Sequence, residues 1–97
     1  RNYMAKLLGI DVGTSGCKVI LTNELGHILA QAHAGYPLST PHPLWSEQNP
    51  EDWWNGVLAC LREIGEPRPD AIGLSGQMHG AVFLNAEMQV VRPAMLW

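Results

Sequence analysis

The stretch GIDVGTSGCK, residues 9–18, decides how the start of this chain folds. It contains a five-residue loop, VGTSG, with two glycines. An apolar run, KLLGID at residues 6–11, precedes the loop, and a run rich in apolar and β-branched residues, CKVILT at residues 17–22, follows it. Two such runs around a short loop that contains glycine predict a β-hairpin.

The loop departs from the two best-known phosphate motifs. Lys18 follows Cys17 rather than a glycine, which excludes the pattern GxxxxGK[ST]. Gly9, Gly13 and Gly16 do not have the GxGxxG spacing, and the loop leads to a strand rather than to a helix.

The residue types of the loop are nevertheless suited to a phosphate. Glycines allow backbone N–H groups to approach an anion, and the hydroxyls of Thr14 and Ser15 add donors. Asp11 cannot bind phosphate directly because like charges repel, but it can hold a hydrated Mg²⁺ that bridges to the phosphates. From the pattern alone, an ordinary hairpin turn with a capping aspartate remains the alternative.

The start of the chain is predicted to form three antiparallel strands. A turn at residues 23–26 precedes a third strand at residues 27–36, where apolar residues alternate along the chain. Residues 37–49 contain three prolines and are predicted to be irregular.

A helix is predicted for PEDWWNGVLACLREIG, residues 50–65. Asn49 is a suitable N-cap, Pro50 suits the first helical position, and Gly65 ends the helix. The i, i+3, i+4 spacing predicts an apolar face made of Trp53, Trp54, Val57, Leu58, Leu61 and Ile64. We expect at least one of the two tryptophans to lie in the core, and Gly56 to allow close packing against the sheet.

The rest of the chain is predicted to add short strands. DAIGL, residues 70–74, is expected to be a buried strand, followed by a loop at residues 75–80. AVFL, residues 81–84, is expected to be a further strand, with residues 88–91 as its hairpin partner. The order β-β-β-α-β with further strand predicts an α/β fold with an antiparallel start.

Composition limits the possible partners. The net charge is −3 and no run of Lys or Arg is present, which argues against nucleic acid and against an anionic membrane surface. No apolar run approaches the roughly 18 residues that cross a bilayer. The N-terminal apolar run is too short for a signal peptide. Cys17 and Cys60 form no CxxC pair, and we expect two reduced thiols in a cytoplasmic protein.

Four segments together resemble a known family. GIDVGTSGCKVIL resembles the first phosphate segment of the sugar-kinase/Hsp70/actin superfamily, and within it the FGGY family of carbohydrate kinases. PHPLWSEQNPEDWW (41–54) and RPAMLW (92–97) resemble further segments of that family. AIGLSGQMHGAVFLN (71–85) is similar to the sugar-site segment of its xylulokinases.

The resemblance covers residues 7–97 and implies a fold and a domain. The expected fold is α/β and ribonuclease-H-like, as in the actin-like ATPases. Residues 1–97 would form the N-terminal part of domain I, without the second domain. The chain breaks off at Trp97 without a polar tail or a cap, which we interpret as mid-domain sequence. Residues 1–3 precede a plausible start at Met4, and one interpretation of them is an added remnant.

The resemblance also implies site residues. Asp11 would organise Mg²⁺ and the transferred phosphate. The turn beneath the β- and γ-phosphates of ATP would consist of Gly13, Thr14, Ser15 and Gly16. Lys18 either faces the phosphates or lies in solvent, and both alternatives stay open. The pocket for the ketose would be lined by Gln77, Met78 and His79.

The remaining candidate residues are assigned structural roles or exposed positions rather than functional ones. Three histidines, His27, His33 and His42, are expected to be structural or exposed. Core filling remains an alternative role for Met78. Residues 45–48 are expected to form a packed connection rather than the border of the pocket.

The implied activity is the ATP- and Mg²⁺-dependent phosphorylation of D-xylulose to D-xylulose 5-phosphate by the full-length enzyme. No residue of this chain matches the aspartate base of the family, so we expect the 97-residue chain alone to be inactive. The alternatives are another FGGY sugar kinase, such as a gluconokinase, and a non-catalytic module that kept the fold. The oligomeric state is left open, a homodimer included.

Overall fold

The computed structural model describes residues 4–77 and 80–96. Predicted site residues Met78 and His79 therefore lie outside the described residues. Within the described ranges, the elements are β1 (Lys6–Val12), β2 (Gly16–Asn23), β3 (Ile28–Gly35), β4 (Ser46–Gln48), α1 (Pro50–Glu63), β5 (Ala71–Gly76) and β6 (Ala94–Leu96).

The main sheet has four strands in the order β3-β2-β1-β5. The pairs β1–β2 and β2–β3 are antiparallel, which confirms the predicted meander. The pair β1–β5 is parallel, and α1 lies in the connection that a parallel return requires. The result is the predicted α/β fold with an antiparallel start.

Side chains alternate between the two faces of this sheet. Cys17, Val19 and Leu21 on β2 are at most 6% exposed and pack beneath α1. Their cross-strand partners on β1 lie on the same face, so the core runs across both strands. Lys18 has the opposite parity, and together with its partner Asp11 it lies on the face turned away from α1.

The helix begins at Pro50 as predicted and ends at Glu63, two residues before the predicted end. The side chain of Asn49 accepts a hydrogen bond of 3.1 Å from the backbone N–H of Glu51, and Pro50 occupies the first turn. Gly65 has a φ of +90°, the left-handed conformation that ends many helices. Within residues 4–77 and 80–96, no helix is long and apolar enough to cross a membrane.

Gly56 allows α1 to approach the sheet closely. A Cβ atom at this position would lie 3.1 Å from the Sγ of Cys17 and 3.4 Å from the ring of Tyr36. The close packing expected of this glycine is therefore confirmed. The helix loses some intrinsic propensity at Gly56 and gains contact with the sheet in return.

The predicted apolar face of α1 is only partly correct. Val57 is 6% exposed and packs in the core, and Cys60, which was not assigned to this face, is buried beside it. Trp54 is 58% exposed and Trp53 is half-buried, so the prediction of a tryptophan in the core is wrong. The physical reason is position: both tryptophans lie beside the ends of the strands, where they line an open cavity.

The second half of the chain differs from prediction in its pairing. Residues 37–49 are not wholly irregular, because β4 pairs antiparallel with β6 in a second, two-stranded sheet. Residues 81–84 do not form the predicted strand. They make isolated bridges, Ala81 with Met95 and Leu84 with Val90, the second of which joins the predicted hairpin segments.

The predicted buried strand is exposed along its whole length. β5 extends to Gly76, so Ser75 and Gly76 belong to a strand rather than to the predicted loop. It is the edge strand farther from the helix, because α1 packs mainly on β2 and β3. Its apolar side chains therefore remain uncovered in this structure, Leu74 being 78% exposed.

The two cysteines, distant in sequence, meet in the core. Their Sγ atoms are 3.9 Å apart, well beyond the S–S bond length of about 2.05 Å. Cys17 and Cys60 are both buried free thiols, as expected. Burial, followed by the contact with Cys17, raises the pKa of Cys60 to about 11, so its reactive thiolate is scarce at neutral pH.

Gly16→Ala is expected to destabilise the fold by about 1–3 kcal/mol, the usual cost of overpacking. The new Cβ would overlap the backbone carbonyl of Ala34 on β3, which cannot rotate away. The matched control is Gly73→Ala on β5, where nothing lies within 4 Å of the added Cβ. Urea unfolding followed by circular dichroism compares the two, and equal midpoints would contradict the close approach of β2 and β3.

Candidate active site

The loop between β1 and β2 forms a tight turn. The backbone N–H of Gly13 donates to the carbonyl of Gly16 over 2.9 Å, which closes the turn. Thr14 and Ser15 are exposed at its tip. Among the described residues, no acceptor binds the backbone N–H of either one. Two available N–H groups and the hydroxyl of Ser15 can bind an anion such as a phosphate.

Gly16 is required by packing rather than by an unusual backbone conformation. Its φ is not in the left-handed region, where the described glycines are Gly26 and Gly65. Its hydrogen atoms face the backbone of β3, which passes too close for a side chain. The glycine therefore sets the distance between the turn and the neighbouring strand.

Asp11 lies beside the turn and is oriented by a neighbour. The register places it opposite Lys18 on β2 and opposite Ser75 on β5. The hydroxyl of Ser75 donates to Oδ1 of Asp11 over 2.9 Å. This bond fixes the direction of the carboxylate while the residue stays exposed to solvent. Lys18 is also exposed, on the same face.

This donor set fits a hydrated magnesium ion. Within the described ranges, no group of three His, Cys, Asp or Glu residues could hold a metal directly. Mg²⁺ commonly binds through one or two carboxylates, several waters and the phosphates of the substrate. Asp11 is suited to such a shared ion.

Gln77 brings the second predicted site segment against the first. It follows β5 directly, and its backbone N–H donates to the carbonyl of Val12 over 3.2 Å. The hydroxyl of Thr14 donates to Oε1 of Gln77 over 3.0 Å. Two candidate residues separated by 63 positions in the sequence are thus in direct contact.

Gln48 is the residue that sequence reasoning missed. It is 2% exposed, on β4 in the segment predicted to be a packed connection. Its Nε2 donates to the carbonyls of Thr14 and, over 3.5 Å, Pro37. Its Oε1 accepts from Nε1 of Trp53 over 3.0 Å and from Nε2 of Gln77 over 3.1 Å. No local pattern marks a glutamine as buried, because only the tertiary contacts decide it.

Tyr36 stabilises the turn through its side-chain hydroxyl. Its hydroxyl donates to the carbonyl of Gly13. Burial raises the pKa of Tyr36 to about 12, with smaller electrostatic contributions from Cys17 and Asp11. The phenol therefore stays protonated, and able to donate, at neutral pH.

A cavity of about 440 Å³ lies beside these residues, between the start of α1 and the ends of β1 and β5. Its volume is within the range of small-molecule sites. The described lining residues are Val12, Pro50, Trp53, Trp54, Val57, Gly76, Gln77, Gly80 and Val82. None of them is charged, so the cavity suits a neutral molecule with an apolar face.

The fold and the site together define a class. An α/β sheet presents a turn suited to phosphate and an oriented carboxylate at one strand end. A cavity of the size of a small molecule opens next to them. Such a domain can bring a phosphate chain and a small polar substrate together.

The particular family follows from comparison with known proteins. The FGGY family of carbohydrate kinases, N-terminal domain, matches residues 6–97, and the chain belongs to this family. The fold is accordingly that of sugar kinases with the actin-like ATPase architecture, as expected.

Individual relatives agree. The chain is 48% identical to the xylulose kinase of Escherichia coli K12 over 94 matched residues. This match covers 93% of the chain and 19% of the relative. The crystal structure of xylulose kinase from Rhodospirillum rubrum matches with a TM-score of 0.89 at 31% identity, over 94% of this chain and 20% of that one. The gluconokinase of Bacillus subtilis is 32% identical over 95 residues, which are 94% of this chain and 18% of the relative. The chain thus spans about a fifth of the length of these relatives.

Tyr36→Phe is expected to reduce stability at neutral pH by about 1 kcal/mol, since one hydrogen bond to the turn is lost. In the wild type, the contribution of Tyr36 to the free energy of unfolding should be fully present below the ordinary tyrosine pKa of 10.0. It should be lost as the pH rises towards about 12. Over that interval the unfolded chain loses the phenolic proton before the folded chain does. Urea unfolding at several alkaline pH values should show a shallower decline for Tyr36→Phe. Parallel declines would contradict the raised pKa.

Proposed function

We propose that this chain is the N-terminal segment of an ATP-dependent carbohydrate kinase that converts D-xylulose to D-xylulose 5-phosphate. The observation that supports this most is the contact between Thr14 in the turn and Gln77 at the cavity. Transfer between two bound substrates requires adjacent sites, and this contact joins the turn proposed for the phosphates to the residue proposed for the sugar. The similarity to xylulose kinases supports the choice of sugar.

In this proposal the turn holds the terminal phosphates of ATP. The backbone N–H groups of Thr14 and Ser15 and the hydroxyl of Ser15 donate to the phosphate oxygens, while the hydroxyl of Thr14 donates to Gln77. Asp11, oriented by Ser75, would hold a hydrated Mg²⁺. Mg²⁺, when bound, neutralises charge on the phosphates during transfer. Lys18 is in register with Asp11 and could add a positive charge, and its role stays a prediction.

The sugar would occupy the cavity. Gln77 lines it and can donate to or accept from a hydroxyl, and Met78 and His79 follow Gln77 directly in the sequence. The tryptophans of α1 would provide apolar surface for the carbon face of the sugar. No base is available among the described lining residues, since none is Asp or Glu. We therefore propose that the base comes from outside this chain and that the chain alone is inactive.

A gluconokinase is the nearest alternative, because the relative from Bacillus subtilis is 32% identical. Gluconate carries a carboxylate, which usually requires a nearby Arg or Lys. The described residues that line the cavity include neither. This favours an uncharged ketose over gluconate.

We also propose a cytoplasmic location. A kinase of this kind consumes ATP, and the two free thiols suit a reducing compartment. The net charge of −3 supports a small-molecule substrate rather than nucleic acid or an anionic membrane.

The substrate is tested with the full-length protein. ADP release with ATP and Mg²⁺ should be measured with D-xylulose, gluconate, ribulose and glycerol as acceptors. We expect kcat/KM for D-xylulose to exceed the other values by about tenfold or more, which a few specific polar contacts can supply. A higher value for gluconate would establish the alternative, and no turnover with any sugar would favour a non-catalytic module.

Asp11→Asn should lower kcat by about 100-fold or more, the scale of losing an electrostatic group that acts in the transition state. The KM for the sugar should change little, because Asp11 is not among the described lining residues of the cavity. Asp52→Asn, the same change in the first turn of α1, is the control and should leave kcat nearly unchanged. An equal loss in both variants would contradict the role of Asp11.

A further inference from the structure

We propose that Gln48 is a positioning residue that couples the binding of the nucleotide to the binding of the sugar. It connects the turn at residues 13–15 to the segment that begins at Gln77. The inference rests on the proposed function, since it assigns the two connected segments to the two substrates. Gln48 itself is not among the described residues that line the cavity.

The amide of Gln48 uses all of its hydrogen-bonding capacity. Its two N–H donors serve two backbone carbonyls, those of Thr14 and Pro37. Its carbonyl oxygen accepts from two N–H groups, those of Trp53 and Gln77. An amide has two donors and one oxygen with two lone pairs, so every group is satisfied. Rotation of the amide by 180° would set oxygen against oxygen and donor against donor.

Three of these hydrogen bonds form a closed ring. Gln48 donates to the backbone of Thr14, the hydroxyl of Thr14 donates to Gln77, and Gln77 donates back to Gln48. Hydrogen bonds in such a ring polarise one another, most strongly at Gln48, which is its buried member. A movement of either segment breaks the ring and leaves a buried polar group without its partner, which is unfavourable.

Two further contacts fix Gln48 to the body of the fold. Trp53 lies on α1, and Pro37 follows the end of β3. Through these contacts, the ring of hydrogen bonds is anchored to the helix α1 and to the segment that follows β3. One buried side chain, 2% exposed, connects both substrate segments and the framework.

Coupling between the substrates follows from this arrangement. A sugar that orders Gln77 also favours the ring, and the ring orients Thr14 for the phosphates. The second substrate then finds its site already ordered, so its affinity rises. Thermodynamic linkage requires the effect to be reciprocal: nucleotide must raise the affinity for sugar by the same factor.

The test is a measurement of this factor in the full-length enzyme. The Kd of D-xylulose is determined by titration calorimetry without and with saturating AMP-PNP and Mg²⁺, a non-hydrolysable nucleotide. In the wild type we expect the nucleotide to tighten sugar binding several-fold, in the range of about 5–150 typical of coupled sites. In Gln48→Met, which keeps the length of the side chain but makes no such hydrogen bonds, the factor should fall to near 1.

Two further variants separate coupling from folding. Gln31→Met is the same substitution at an exposed position of β3, outside the ring, and should keep the wild-type factor. Gln48→Glu keeps both acceptor contacts of Oε1 and nearly the same volume, but replaces the donors to Thr14 and Pro37 by an oxygen. Gln48→Glu should therefore also bring the coupling factor to near 1. If Gln48→Met does not fold, the measurement on Gln48→Glu tests the inference instead.

The outcomes are distinguishable. Folded Gln48 variants with a lower melting temperature but an unchanged coupling factor would show a merely structural role and overturn the inference. An active wild-type enzyme whose nucleotide and sugar bind independently would overturn it too. A wild-type enzyme that phosphorylates no sugar would instead contradict the proposed function, and the inference with it.

Discussion

The pairing of β1 with a strand on each side is the constraint on which the rest of the structure depends. Its antiparallel pairing with β2 closes the turn at residues 13–15, and its parallel pairing with β5 brings Ser75 to Asp11 across 64 positions of sequence. A parallel partner requires a long crossover, and α1 lies within it. The helix that covers the core and the serine that orients the carboxylate are therefore two results of one pairing.

Much of this fold could be predicted because its determinants are local. The hairpin depends on two apolar runs and a glycine-rich loop, and the start of α1 depends on Asn49 and Pro50. Each of these signals acts within a few residues of the chain. The pairing of β4 with β6 could not be predicted in this way, since it joins residues 46–48 to residues 94–96 and no local pattern records it.

In the candidate site, too, the features set by local sequence could be predicted and those set by tertiary contacts could not. The residue types in the turn suit a phosphate but by themselves leave an ordinary hairpin turn as the alternative, and the resemblance to a family supplied both the phosphate role and the role of Gln77. Neither could show that Gln48 lies between them, because glutamine is usually exposed and its burial here depends on four partners from different elements. The exposure of Trp54 escaped prediction for the converse reason. Helical spacing shows which side chains share a face, but not how far the sheet beneath them extends.

The alternation of side chains along β1 has a consequence for how this sequence can change over time. Leu8 lies on the face that packs under α1, and Asp11, at odd spacing, lies on the other face. Point substitutions on one face leave the other largely untouched, so the packing of the core and the proposed phosphate chemistry of Asp11 can change independently. Insertion or deletion of one residue ahead of Asp11 would exchange the faces and turn the carboxylate towards the core. Relatives of this chain should therefore tolerate substitutions along β1 outside Asp11 and the buried positions far better than any change in its length.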